Sequence, residues 1–289
     1  MSDLFPPVDH ESLRTGRRFG RLRSVPFRVV LPNLVTLLSL CAGLTSIRMA
    51  LEENFGWAVA AVVFAAALDG IDGRVARWLK GTSRFGAELD SLADFVNFGV
   101  VPGLLLYIWV LKDAGSFGWI AVLAHVIAMG LRLARFNVAL DTPKPAWAGN
   151  FFVGMPAPAG AMTVLLPLYV TEIFPIGHGI SIAGVVAVYT LFIAFMTIST
   201  IPTWSGKKIG ARVPREKVIP VSVAVVLFTA TLVSYPFPIL TLMTVGYLVA
   251  IPFGWRSYRR HLAEDAAAAA ATTPVPAGAP EDEEEEGEA

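Results

Sequence analysis

"LDGIDGRVARWLKGTSRFGAELDSLADF", residues 68–95, decides how this chain is read. It follows the apolar run "FGWAVAAVVFAAA" and leads into "VNFGVVPGLLLYIWVL", so four aspartates, Asp69, Asp72, Asp90 and Asp94, sit at the ends of segments suited to lipid. Steps of three and four residues place Asp69, Asp72, Gly73, Ala76 and Arg77 on one face of a helix, and Gly86, Asp90 and Asp94 on one face of the next. The intervening "WLKGTSRF" is short enough for a turn between antiparallel helices, so the four carboxylates can converge.

The surrounding composition supplies the setting. With 55% hydrophobic and 16% charged residues among 289, and a mean hydropathy of +0.60, the chain is far more apolar than a soluble domain. Apolar windows long enough to cross a bilayer fall near residues 30–50, 56–77, 90–111, 118–138, 156–174, 180–201, 218–235 and 238–254. The expected fold is all-α: a polytopic membrane helical bundle of about eight transmembrane helices. The boundary between the last two rests on "YPFP", residues 235–238, where prolines interrupt the helical run.

Charge orients the bundle. With the N-terminus inside, every Lys and Arg except Arg48 and Lys112 falls on cytoplasmic segments or adjoining helix ends. That asymmetry fits the positive-inside rule, and an even span count leaves both termini cytoplasmic. The formal net charge of zero hides this segregation, because the acidic "EDEEEEGEA" tail offsets a basic face. The single cysteine, Cys41, rules out an intramolecular disulfide and reads as a packing residue of the first span. The polar, proline-containing start lacks a charged-then-apolar cleavable signal, so the first span is expected to be retained, in an inner membrane.

Three regions follow. Residues 1–28 form a basic N-terminal juxtamembrane segment, whose arginines interleaved with Leu13, Phe19, Leu22 and Phe27 suit an anionic membrane surface or a disordered arm that fixes topology. Residues 29–256 form the membrane domain. Residues 257–289, rich in alanine and proline and then acidic, read as a disordered tail.

Lipid exposure cannot be the fate of the aspartates. Each would cost roughly 2.5–3.5 kcal/mol at a helix centre, about 10–14 kcal/mol together. Mutual repulsion adds to that cost unless cations neutralise the cluster. Hard carboxylate oxygens suit Mg²⁺ or Mn²⁺. Gly73, Ala76 and Gly86 leave room for a phosphate or nucleotide, and Arg77 offers a planar donor fork to phosphate oxygens. Interfacial charges that merely pack helices are the alternative, and the full spacing speaks against it.

The pattern D-x2-D-G-x2-A-R-x8-G-x3-D-x3-D, complete as Asp69, Asp72, Gly73, Ala76, Arg77, Gly86, Asp90 and Asp94, resembles the signature of the CDP-alcohol phosphotransferase family. The resemblance implies that Asp69, Asp72 and Asp90 are metal ligands in a two-metal site. It implies that Asp94 is the catalytic general base and a candidate ligand of the second metal. It also implies that Gly73, Arg77 and Ser83 contact the CDP-linked lipid, and that Asn33, within "LPNLVT", helps enclose the nucleotide. A homodimer is implied as well.

The motif alone does not choose the acceptor alcohol. "ELDSLADFVNFGVVPGLLLY", "LRLARFN" (residues 131–137) and "FFVGMPAPAGA" (residues 151–161) together resemble the membrane-integrated bacterial and archaeal phosphatidylserine synthases. This implies CDP-diacylglycerol and L-serine as substrates, phosphatidylserine and CMP as products, the bilayer as setting and no nucleic-acid partner. The active site would lie on the cytoplasmic side. Serine's carboxylate needs a cation, for which Arg132 or Arg135 is placed near a cytoplasmic helix end, and Asn97, one turn beyond Asp94, could bind a polar group of the acceptor. The arginines could instead anchor the helix end. His125 and Glu172 are weaker candidates. A phosphatidylglycerophosphate synthase using glycerol 3-phosphate is the alternative enzyme; a non-catalytic lipid-binding or transport protein is the alternative of a different class.

Overall fold

The computed structural model describes residues 27–79, 83–139, 146–174, 179–205 and 214–272. Ten helices occur among them: α1 Phe27–Leu51, α2 Phe55–Trp78, α3 Arg84–Asp94, α4 Val101–Trp109, α5 Gly115–Val138, α6 Ala157–Val164, α7 Leu166–Ile173, α8 Ile180–Ile198, α9 Val218–Ser234 and α10 Pro236–Thr272. A π-helical segment, Phe95–Val100, fuses α3 and α4 into one rod. The basic juxtamembrane segment, apart from its last two residues, and the acidic end of the tail lie outside the described residues.

Among the described residues, six helical segments are long and apolar enough to cross a membrane: Val30–Leu51, Phe55–Trp78, Arg84–Trp109, Leu111–Val138, Ile180–Ile198 and Pro236–Asp265. The other two apolar stretches differ in build. Residues 156–174 split into α6 and α7 at Leu165, just before Pro167, whose ring and missing N–H disfavour a continuous helix there. Helix α9 has 17 residues and none of them is buried. The break anticipated at "YPFP" falls at Tyr235, between α9 and α10.

Three expectations are amended. The all-α bundle carries a two-stranded antiparallel ribbon, β1 Phe151–Val153 against β2 Pro202–Trp204, in the register Phe152↔Thr203. Aromatic and β-branched side chains favour the extended form there, and the ribbon ties the α5–α6 connection to the α8–α9 connection. The tail expected to be disordered from residue 257 is helical as far as Thr272, because its alanine run has the highest helix propensity. Cys41, expected to pack, is exposed on α1.

Helices α1 and α2 form a tight hairpin. Ser39 and Ser46 donate to the carbonyls of Ala65 and Ala58 on α2, each at 2.8 Å, and those alanines are fully buried. Small residues permit the approach and hydroxyls bind the helices where no water competes. The main core lies in α4, α5, α7 and α8 around Leu105, Leu106, Val122, Leu168, Tyr169 and Ile193. A smaller cluster, Phe98, Met129, Leu133, Ala157 and Ala161, sits beneath the π-helical segment. It supports the helix end that carries Asp94.

Candidate active site

Each half of the acidic motif is positioned by its own local structure. Asp69 and Asp72 ride the last turns of α2. Across the turn, Ser83 starts α3 by accepting the Gly86 backbone N–H at 2.9 Å, a side-chain cap that sets the direction of the helix carrying Asp90 and Asp94. Carboxylate oxygens of Asp69, Asp72 and Asp90 all lie within 4.8 Å of one another. Asp72 is 3% exposed and accepts the Thr36 hydroxyl at 2.7 Å, which ties the cluster to α1. Asp94 stands beside Asp69 and Arg132.

The donor set is that of a hard-cation site. Three carboxylates converge without an ion-pair partner among the described residues, where the ion pairs are Arg48–Glu52 and His261–Glu264. Oxygens around a shared Mg²⁺ at about 2.1 Å lie up to roughly 4.2 Å apart, close to the observed spread. Asp94 Oδ1 is buried and without a hydrogen-bond partner, so one more acceptor is left for a cation or a proton donor. The residues therefore fit a divalent metal.

Two cavities flank this cluster. The first, about 190 Å³, is lined by Asn33, Thr36, Asp72, Gly73, Ala76, Arg77, Ser83, Gly86 and Asp90. All six residues expected to contact the CDP-linked lipid thus fall on one wall system, made by α1, α2 and α3. A Cβ built at Gly86 would lie 2.7 Å from Asn33 Oδ1 and 3.1 Å from Ser83 Oγ; only glycine keeps that corner open.

The second cavity, about 440 Å³, is lined by Asp69, Asp90, Ser91, Asp94, Arg132, Phe136, Asn137, Phe152 and Pro156, among others. Its acidic, cationic and aromatic walls come from α2, α3, α5 and the β1 segment. Arg132 is 8% exposed and its guanidinium lies over the Phe136 ring, 5.5 Å from the centroid.

The tentative acceptor residues separate here. Arg132 faces the cavity that holds Asp94. Arg135 instead donates to the carbonyls of Ile198, Ser199 and Val153 at 2.7, 3.1 and 3.4 Å, stitching the end of α8 to β1. Asn97 lines neither cavity: it is 1% exposed and donates to Ser39 on α1 at 2.8 Å. The expectation that Asn97 repeats the direction of Asp94 assumed a regular α-helix, and the π-helical turn starting at Phe95 shifts that phase. His125 is fully buried on α5 and Glu172 is exposed on α7, both away from these cavities.

A third cavity, about 480 Å³, adjoins the second through Arg132, Phe136 and Phe152. Its far wall is the extension of α10, held by Trp147, which donates to Asp265 at 2.5 Å and packs edge-on against Tyr258 with centroids 5.2 Å apart. Sequence reasoning passed over this wall. The signals available were the aromatic "WAGNFF" and the continued helix past Trp255.

Comparison with known proteins bears on this arrangement. The family model described as CDP-alcohol phosphatidyltransferase matches residues 29–197, more than half of the chain. The chain belongs to the CDP-alcohol phosphatidyltransferase family. A second model, CDP-alcohol phosphatidyltransferase 2, matches residues 216–252. A CDP-diacylglycerol–serine O-phosphatidyltransferase of Mycobacterium leprae is 42% identical over 231 residues, covering 80% of this chain and 76% of the relative. One from Helicobacter pylori is 44% identical over 135 residues, 47% of this chain and 55% of the relative. An archaetidylserine synthase of Methanothermobacter thermautotrophicus is 33% identical over 144 residues, 47% of this chain and 56% of the relative. Family membership spans both cavities, α1 through α8.

Proposed function

We propose that this family member transfers the phosphatidyl group of CDP-diacylglycerol to the hydroxyl of L-serine, giving phosphatidylserine and CMP. The observation carrying the reading is the pair of cavities meeting at Asp90: one holds every residue expected around the nucleotide, the other holds Asp94 with the buried Arg132. The printed names of the serine-specific relatives support the choice of acceptor.

In this reading Gly73, Ala76 and Gly86 admit the pyrophosphate, while Asn33, Arg77 and Ser83 bind the nucleotide side. Asp94 takes the proton of the serine hydroxyl, whose oxygen forms a bond to the phosphorus that bears the lipid as the bond to the CMP oxygen breaks. Arg132 holds the serine carboxylate with a charge-assisted pair. Asp69, Asp72 and Asp90 would hold Mg²⁺ or Mn²⁺ as a two-metal site with Asp94 alongside; bound there, the ions supply charge stabilisation to the pyrophosphate and make CMP a better leaving group. Positioning and electrostatics do most of the work in such a transfer.

The reading extends to topology. Eight spans, with both termini and the active site on the cytoplasmic face of an inner membrane, agree with the distribution of Lys and Arg and with the aspartate motif at that end. The homodimer implied by family resemblance belongs to the same reading; α9, apolar and without a buried residue, offers a face for lipid or for a second copy.

The test is direct. Purified protein with CDP-diacylglycerol, Mg²⁺ or Mn²⁺ and separately labelled acceptors should yield lipid product with serine. Product with glycerol 3-phosphate and none with serine overturns the acceptor assignment. Lack of metal-dependent CMP release with every acceptor favours a non-catalytic lipid-binding protein.

A further inference from the structure

Serine has three recognisable groups, and the reading above gives partners to only two, the hydroxyl at Asp94 and the carboxylate at Arg132. The α-ammonium needs an acceptor, and the carboxylates of Asp69, Asp72 and Asp90 are already committed to cations in that reading. A third polar feature stands on the same cavity wall. Asn137, near the end of α5, donates its Nδ2 to Ser91 Oγ at 3.0 Å, bridging α5 to α3 next to Asp90. Both residues line the cavity with Asp94 and Arg132.

That bond fixes the chemistry the amide presents. With one N–H of Nδ2 engaged by Ser91, Asn137 keeps Oδ1 as an acceptor that takes no side-chain donor among the described residues. A neutral acceptor suits an ammonium group here better than another carboxylate, because it adds no charge to an already acidic cluster.

Resting on the serine reading, we infer that Asn137, held in orientation by Ser91, recognises the α-ammonium of an amino-acid acceptor and is a specificity-determining residue for it. Neither residue belongs to the acidic motif. Together they complete a three-point recognition of serine: hydroxyl, carboxylate and amine on separate side chains of one cavity.

The experiment compares L-serine with 3-hydroxypropanoate, which keeps the hydroxyl and carboxylate and lacks the amine. Full-length protein is assayed in detergent with CDP-diacylglycerol, measuring the KM for serine and the inhibition constant of 3-hydroxypropanoate. In the unmodified protein the inhibition constant exceeds the serine KM by at least about tenfold, since a site built to bond a polar group rejects the analogue lacking it. In Asn137→Leu the two constants converge, chiefly through a rise in the serine KM with kcat changed less. Asn137→Asp, which retains an acceptor oxygen, keeps the preference, and Ser91→Ala lowers it partway. An unchanged ratio in Asn137→Leu overturns the inference, as does a parallel loss of both affinities, the result of a purely helix-bridging role. Should Asn137→Leu fail to fold, loss of preference in Asn137→Asp, or an unaltered ratio in Ser91→Ala, overturns it instead. A failure of the serine reading itself is visible separately, as absence of serine turnover in the unmodified protein.

Discussion

The two cavities that meet at Asp90 are built by opposite strategies. The nucleotide-side cavity is local: apart from Pro32, Asn33 and Thr36, its walls come from one hairpin of α2 and α3 within residues 72–90. The acceptor-side cavity is assembled from afar, with Asp94 on α3, Arg132 and Asn137 on α5, Phe152 on β1 and Pro156 before α6. A wall made within one hairpin is dictated by helical periodicity. One gathered from five elements, α2 with Asp69 among them, depends on how those elements pack. In the proposed reading the CDP-linked donor and the acceptor alcohol divide along the same line.

The separation can be broken experimentally. Asp94→Asn carries the largest expected effect: kcat falls by about 10²–10⁴, the contribution typical of a general base, while CDP-diacylglycerol binding is retained. Near-normal turnover at saturating serine would remove Asp94 as the base. Arg132→Ala should raise the serine KM roughly 10- to 100-fold, the loss of a charge-assisted hydrogen bond of about 1.5–3 kcal/mol, and leave the lipid KM unaltered. Arg135→Ala serves as its counterpart. Because its guanidinium holds three backbone carbonyls, it should lower the unfolding temperature without selectively changing the serine KM; a selective change would restore it to the acceptor site.

Gly86→Ala tests the other side. The added methyl displaces Asn33 from the corner it occupies, so the CDP-diacylglycerol KM should rise about tenfold, as for roughly 1.4 kcal/mol of lost binding. An equal rise in the serine KM would show that the cavities are not independent. Thr36→Val is the smallest step. It removes the hydroxyl that Asp72 accepts, which should weaken Mn²⁺ binding a few-fold, in keeping with about 1 kcal/mol for a hydrogen bond; titration of the protein with Mn²⁺ measures it.

This contrast also explains how far the sequence could be read. Asp69 and Asp72 share a helix face as their three-residue spacing requires, Asp90 meets them across the short turn, and the helix break at Tyr235 follows from its flanking prolines. Asn97 was misplaced because nothing in "DFVNFGV" reveals a π-helical turn, and one wider turn redirects every residue after it. Arg132 and Arg135 lie three residues apart on one helix, and periodicity could not separate them. The division came from tertiary partners: an acidic cavity for one, and the exposed carbonyls at the end of α8 for the other. The ribbon of β1 and β2 escaped notice because each strand has three residues, too short for a period of two to register.

The placement of Asp90 on the wall of both cavities has a stereochemical consequence. In the proposed reading the hydroxyl enters from the Asp94 side of phosphorus and CMP departs on the Asn33 side, with Asp90 between them. A single in-line displacement of that kind turns the three remaining substituents through a plane. A CDP-diacylglycerol made chiral at the reacting phosphorus with sulfur and heavy oxygen should therefore give phosphatidylserine of inverted configuration, whereas a covalent phosphatidyl-enzyme would return the original hand.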